Sequence, residues 1–188
     1  MSEDALPASL TRRGLSNFRK SRRNYRRMAW FLPTLIIVML SSGWLLRETT
    51  ASGYIVEQHS MEQTLQEGDT LLTNRFAEPQ RGDIVVTDGW GSGKNYVKRI
   101  VGMPGDQVDY VNGELLLNGI YMEEPFAVKE NDNYSITVPE GMYWVLGDNR
   151  PVSSDSREHG FVPKDGIKGV AYFRYWPLSR FGAVGQGD

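Results

Sequence analysis

The residues of this chain whose types and spacing best suit covalent chemistry are Ser60, Lys98 and a polar run from Gly147 to Arg157. Ser60 sits in Gln58-His59-Ser60-Met61. A serine hydroxyl is a weak nucleophile and needs a base to take its proton. The absence of cysteine removes disulfides, thiolate metal sites and a thiol nucleophile together. With 2 histidines in the chain, a multi-histidine metal site is not expected. The base must then be Lys, His, Asp or Glu. Lysine serves only if its ammonium is neutral often enough, which requires burial away from counter-charges. Lys98 lies in Tyr96-Val97-Lys98-Arg99-Ile100, which reads as a strand. Alternation puts Tyr96, Lys98 and Ile100 on one face and Arg99 on the other, so the amine has apolar neighbours. Two plainer alternatives stay open: Lys98 as a solvated edge lysine that blocks aggregation, and Ser60 as a turn former. His59 adjoins Ser60, but neighbours in an extended chain point opposite ways. His159, close to Asp155, is a better triad candidate, although a histidine mechanism leaves Lys98 without a role.

These residues need a scaffold, and the pattern after residue 50 is period-two runs between turn signals. Strands are expected at Tyr54-Ile55-Val56, Thr70 to Thr73, Asp83 to Thr87, Tyr96 to Val101, Glu114 to Leu117, Ser135 to Val138, Met142 to Leu146 and Val170 to Trp176. Asn112-Gly113 is a two-residue hairpin signal between Val108-Asp109-Tyr110 and Glu114-Leu115-Leu116. No long amphipathic helix is visible there. The expected class is mainly β, one coiled, barrel-like antiparallel sheet system. Gly89 to Lys94 lacks the spacing and the strand-to-helix setting of a phosphate loop and reads as a hairpin tip. Tyr172 to Trp176 fits a core strand and a membrane interface equally.

Ahead of the β region the composition changes twice. Residues 1–27 carry Arg12, Arg13, Arg19, Lys20, Arg22, Arg23, Arg26 and Arg27, although the chain as a whole has a net charge of -2. That overall balance argues against a nucleic-acid partner. Met28 to Leu46 carries no charge, is about long enough to cross a bilayer, and has Trp30 and Trp44 near its ends. The expected organisation is a basic cytoplasmic tail at 1–27, a transmembrane helix at 28–46, and an extracytoplasmic β-rich domain at 47–188. A cleavable signal peptide and a buried core helix are the competing accounts of 28–46.

Behind that anchor come, in order, Ser60-Met61-x-x-Thr64-Leu65, Arg81-Gly82-Asp83-Ile84-Val85-Val86, Tyr96 to Asp106, and Gly147 to Arg157 in the form GDNRxxSxDSR. These blocks resemble the bacterial type I signal peptidases, membrane-bound Ser-Lys endopeptidases that remove signal peptides from secreted proteins. The resemblance implies a coiled antiparallel β-sheet peptidase domain behind one helix in the bacterial cell membrane. It implies Ser60 as nucleophile, Lys98 as general base and Ser153 as the serine that orients the lysine. It pairs Asp155 with Arg157 and puts Asp148 in the same network. Cleavage would follow small residues in an Ala-x-Ala pattern, with Val56, Met61, Leu65, Tyr96 and Val97 lining the pockets and the substrate strand lying beside residues 95–97. Signal peptides and the phospholipid membrane are the implied partners of a monomer that needs no metal and no cofactor. Three departures stand out: Gln63 replaces a usual Pro, Gln58 replaces a usual Ser or Gly beside the oxyanion hole, and the interval from Lys98 to Gly147 leaves no room for the large extra β-domain of some members. Gln58 keeps a rival alive, a weak or silent relative that uses the same groove as an assembly or chaperone factor for surface proteins. A self-cleaving repressor is countered by the anchor.

Overall fold

The computed structural model describes residues 30–42 and 51–184, and the chain divides into two units, Met1–Arg47 and Glu48–Asp188. In the first unit residues 30–42 form a helix, α1. Its hydroxyls fold back on its own carbonyls: Thr34 donates to Trp30 and Phe31, Ser41 to Val38, and Ser42 to Met39. Among the described residues no helix is long and apolar enough to cross a membrane. The ends of the expected span, 28–29 and 43–46, and the basic tail lie outside the described residues.

The second unit is almost wholly antiparallel β. Its strands are β1 (Ala51–Ile55), β2 (Thr70–Asn74), β3 (Ile84–Thr87), β4 (Tyr96–Gly102), β5 (Gln107–Val111), β6 (Glu114–Leu117), β7 (Ile120–Met122), β8 (Tyr134–Thr137), β9 (Met142–Leu146), β10 (Val162–Pro163), β11 (Ile167–Trp176) and β12 (Gly182–Ala183). The one α-helix in this unit among the described residues is the single turn α2 (Ser156–His159). An eight-stranded sheet runs β1-β2-β11-β3-β4-β9-β10, with β12 added to β11. Here the single sheet system expected from the sequence is corrected: β7-β6-β5-β8 form a separate four-stranded sheet. Asn112 and Gly113 both take positive φ at the β5–β6 hairpin, as a type I′ turn demands.

The larger sheet is curled by register shifts. β11 slips against β2 between Ala171 and Phe173 and again between Arg174 and Trp176. β4 slips against β9 between Ile100 and Gly102. Each extra residue bends and twists its strand. Both faces of the central strands are covered, which explains why β3 reads as an unbroken apolar run. Ile84 joins Val56, Met61, Leu65, Leu71 and Ala171 on one side, while Val85 joins Ile100, Tyr143, Val145, Val162 and Val170 on the other. A third cluster, with Val108, Tyr110, Leu115, Leu117 and Trp144, joins the small sheet to β9.

Coverage of both faces has an electrostatic consequence on β4. Arg99 was expected on the face opposite Lys98, and it too is buried. Its guanidinium grips the Asp148 carboxylate through Nε at 2.9 Å and Nη2 at 2.8 Å, and its Nη1 donates to the Gly82 carbonyl at 2.8 Å. Removing one member of such a pair strands the other charge in a dry site. Arg99→Met is therefore expected to destabilise the fold by about 3–5 kcal/mol in urea unfolding. An unchanged unfolding midpoint would mean that Asp148 finds water or another partner.

Candidate active site

Ser60 sits in a short 3-10 turn, His59–Met61, between β1 and β2. Met61 is fully buried in the cluster beneath it, and this anchors the turn. Lys98 reaches the turn from β4. Its Nζ lies 2.6 Å from Ser60 Oγ, and the bond is buried. Lys98 has 0% of its surface exposed and Ser60 5%, so the edge-lysine and plain-turn accounts of these residues are displaced. Lys98 Nζ also stands 5.6 Å from the centre of the Tyr96 ring, on the shared strand face. Burial pushes the amine down from 10.5 to about 8, against the pull of Asp155 and Asp148, with Arg157 adding to the fall. An amine in that range exchanges its proton near neutral pH, as a general base should.

Residues 147–157 fold around the same point. Asn149 N–H donates to the Ser60 carbonyl at 2.9 Å. Asp155 is fully buried and accepts from Gly147 N–H at 3.1 Å and from Arg157 Nε and Nη2 at 2.9 and 3.0 Å. Burial alone would raise the Asp155 carboxyl, but Arg157, the Ser153 hydroxyl and the Gly147 amide outweigh that and hold it low. Arg157 extends to Asp132 and Glu130, each at 2.8 Å, so the Asp155–Arg157 pair does tie the block together. Asp148 is not in that network. It pairs with Arg99 and accepts from Thr64 Oγ1 at 2.5 Å, because it faces β4 and the turn after Ser60 rather than α2. Ser153 is buried with its hydroxyl beside Asp155, and among the described residues it makes no bond to the Lys98 ammonium.

A cleft of about 670 Å³ opens over Ser60. One wall is Gly53 to Gln58, the other Gly93 to Asn95 and Val97, and the floor holds Ser60, Met61 and Val86. Of the expected pocket residues, Val56, Met61 and Val97 line it. Leu65 does not, because it lies one layer down, packed with Val56 and Met61. Tyr96 does not either; its ring packs against Trp90 at 5.8 Å. Gln58 is exposed at the rim, and its side chain makes no capping bond to the turn. The histidines are occupied elsewhere. His59 is exposed beside Glu67 at 3.5 Å, and His159 meets Ser154 at 2.7 Å and stacks on Trp90 at 4.8 Å.

Several residues of this site escaped sequence reasoning. Thr64 and Arg99 act through Asp148, and the apparent strand alternation hid the burial of Arg99. Gly147 is the other. A Cβ there would collide with Ser153 Oγ and stand 2.5 Å from the Ser60 carbonyl oxygen. Only glycine lets the loop pass this close to the Ser60 backbone.

Comparison with known proteins fits this geometry. The model of the family "Signal peptidase, peptidase S26" matches residues 27–176. The chain belongs to this family. It is 34% identical over 195 residues to signal peptidase I of Streptococcus pneumoniae R6, covering 81% of this chain and 94% of that one. It is 35% identical over 176 residues to signal peptidase I of Bacillus caldolyticus, covering 83% and 93%. A crystal structure of a signal peptidase I from Enterococcus faecalis V583 aligns at 37% identity with a TM-score of 0.46, over 50% of this chain and 97% of that one. The family is one of serine endopeptidases, which agrees with a buried serine bonded to a buried amine.

Gly147→Ala is expected to lower turnover by about two orders of magnitude, since misplacing reacting atoms by an ångström has that effect. Steady-state kinetics at a temperature well below unfolding would measure it, and full activity would show that the loop yields without moving Ser60.

Proposed function

We propose that this protein is a membrane-anchored serine endopeptidase that removes N-terminal signal peptides from exported proteins. The observation that carries this is the 2.6 Å bond between Lys98 Nζ and Ser60 Oγ on the floor of an open cleft. Lys98, neutral in the working state, takes the Ser60 proton as Oγ attacks the scissile carbonyl. The ammonium so formed returns the proton to the departing amine. The neutral amine then activates the water that hydrolyses the acyl-enzyme. The Ser60 backbone N–H is one donor to the oxyanion, and the Gln58 amide at the rim is the candidate for the second.

The cleft is bounded by two strand edges. β1 ends the sheet, and β9 pairs with β4 only from Arg99 onward, which leaves 95–97 open on that side. An extended peptide can pair with both, and main-chain pairing tolerates many substrate sequences. Val56, Met61, Val86 and Val97 make the side-chain contacts apolar and shallow, which favours small residues such as those of Ala-x-Ala.

The uncharged stretch 28–46 behind a basic tail supports an anchor with the N-terminus in the cytoplasm and the peptidase domain outside it. Exposed Tyr172, Tyr175, Trp176, Leu178 and Phe181 add an aromatic surface suited to the membrane interface. Trp176 and the exposed Ile55 of the cleft wall flank the same β2 residue, Thr70, so this surface is continuous with the cleft.

Cleavage of an Ala-x-Ala signal-peptide substrate in detergent micelles tests this proposal. Wild type is expected to cut, with Ser60→Ala and Lys98→Met inactive. The rate constant kcat/KM should climb with pH and level off above about 8, because Lys98 must lose its proton to act. Gln58→Ser should raise turnover if the oxyanion hole is short of a donor, an effect worth up to about two orders of magnitude. Wild type that is inert on several substrates and not rescued by Gln58→Ser would favour a non-catalytic groove that binds surface proteins during assembly.

A further inference from the structure

Among the described residues none of the small sheet bonds Ser60 or Lys98, yet the sheet and the segment leaving it supply Tyr110 and Glu124, two of three members of a buried polar cluster that ends at the active-site loop. Glu124, which follows β7, takes the Arg150 guanidinium through Oε1 at 2.5 Å and Oε2 at 3.2 Å. Tyr110 of β5 donates its hydroxyl to Glu124 Oε2 at 2.8 Å and accepts from Arg150 Nη1. Arg150, Glu124 and Tyr110 are 3%, 5% and 3% exposed. Burial raises the Tyr110 phenol far above its ordinary range, so it remains a protonated donor.

The Nε of this guanidinium bonds the Gly147 carbonyl at 2.9 Å. The Gly147 peptide is thus held at both ends, its N–H by Asp155 and its carbonyl by Arg150. A Cβ on it would stand 2.5 Å from the Ser60 carbonyl oxygen. Asn149, between Gly147 and Arg150, bonds that same carbonyl. A buried guanidinium deprived of its carboxylate must find water or another acceptor. Turning toward one would release Gly147.

We infer that Glu124 and Tyr110 are positioning residues for the nucleophile: through Arg150 they fix the Gly147 peptide, and through it the placement of Ser60 against Lys98. The inference rests on the proposal that Ser60 is the acylated residue. It gives the four-stranded sheet a part in the reaction beyond stability, although none of its atoms meets the substrate.

The test uses the full-length protein in detergent micelles, with Glu124→Gln and Tyr110→Phe beside wild type and Ser60→Ala as the blank. Acylation of Ser60 by an activated ester is followed by intact mass, together with peptide cleavage and thermal unfolding. Glu124→Gln is expected to slow acylation roughly ten- to a hundredfold, and Tyr110→Phe less. The half-saturating ester concentration and the pH midpoint of the reaction should stay where they are, because neither the cleft nor the surroundings of Lys98 change. A folded Glu124→Gln acylated within about twofold of wild type would overturn the inference. So would a rate that falls only in proportion to the unfolded fraction. Should Glu124→Gln fail to fold, Tyr110→Phe, which keeps the ion pair, decides by the same two criteria. Wild type that is acylated at Ser60 but cuts no signal peptide would sink the substrate assignment and leave this test intact. Wild type inert to both sinks both.

Discussion

An amine withdrawn from water gives up hydration that few neighbours can replace, and the active site of this protein is built around one such amine. Lys98 has no exposed surface, and its Nζ meets a serine hydroxyl at 2.6 Å. Desolvation lowers the proton affinity of the amine, and any free carboxylate nearby would raise it again. Asp155 and Asp148 are both close enough to pull in that direction. What limits their pull is that each is already committed to a guanidinium, Asp155 to Arg157 and Asp148 to Arg99. Arg157 even pushes the amine further down. The surroundings of Lys98 are thus polar in composition but nearly balanced in charge, and burial decides the outcome.

The same arrangement explains why the loop 147–157 is so rich in charge while so little of its charge is exposed. Asp148 ties the loop to β4, Arg150 ties it to the small sheet through Glu124, and Arg157 ties it to residues 130 and 132. Buried ion pairs contribute little net stability, but each is costly to break and each demands one geometry. Anchored on three sides, the loop holds Gly147 and Asn149 against the carbonyl of Ser60. Placement of reacting atoms is where enzymes gain several kcal/mol of barrier reduction. The balance of charge and the fixing of position are therefore served by the same residues.

Much of this was legible in the sequence where a local pattern carries the signal. Alternation identified β2, β4 and β9, and Asn112-Gly113 identified the β5–β6 hairpin, because side-chain period and turn chemistry are local properties. Ser60 and Lys98 were paired through the resemblance of their sequence blocks to those of the type I signal peptidases, since the residues by themselves left a histidine base and a solvated edge lysine open. Non-local partnerships were not legible. β7, β10 and β12 are two or three residues long and owe their pairing to neighbours. Alternation put Arg99 on the face opposite Lys98, but it could not show that this face is buried too. The resemblance grouped Asp148 with Asp155, whereas its ion-pair partner comes from β4. Leu65 and Tyr96 were placed in the pocket wall, one residue type fitting a core and a pocket equally well.

The central claim is that Lys98 is neutral enough, near neutral pH, to accept a proton from Ser60. The most direct measurement is an NMR titration of the Lys98 side chain in the folded protein with labelled lysine, assigned by comparison with Lys98→Met. The expected midpoint is about 8, set by burial. A midpoint at or above the ordinary lysine value of 10.5 would mean that the amine is a permanent cation, and Lys98 could not then be the base.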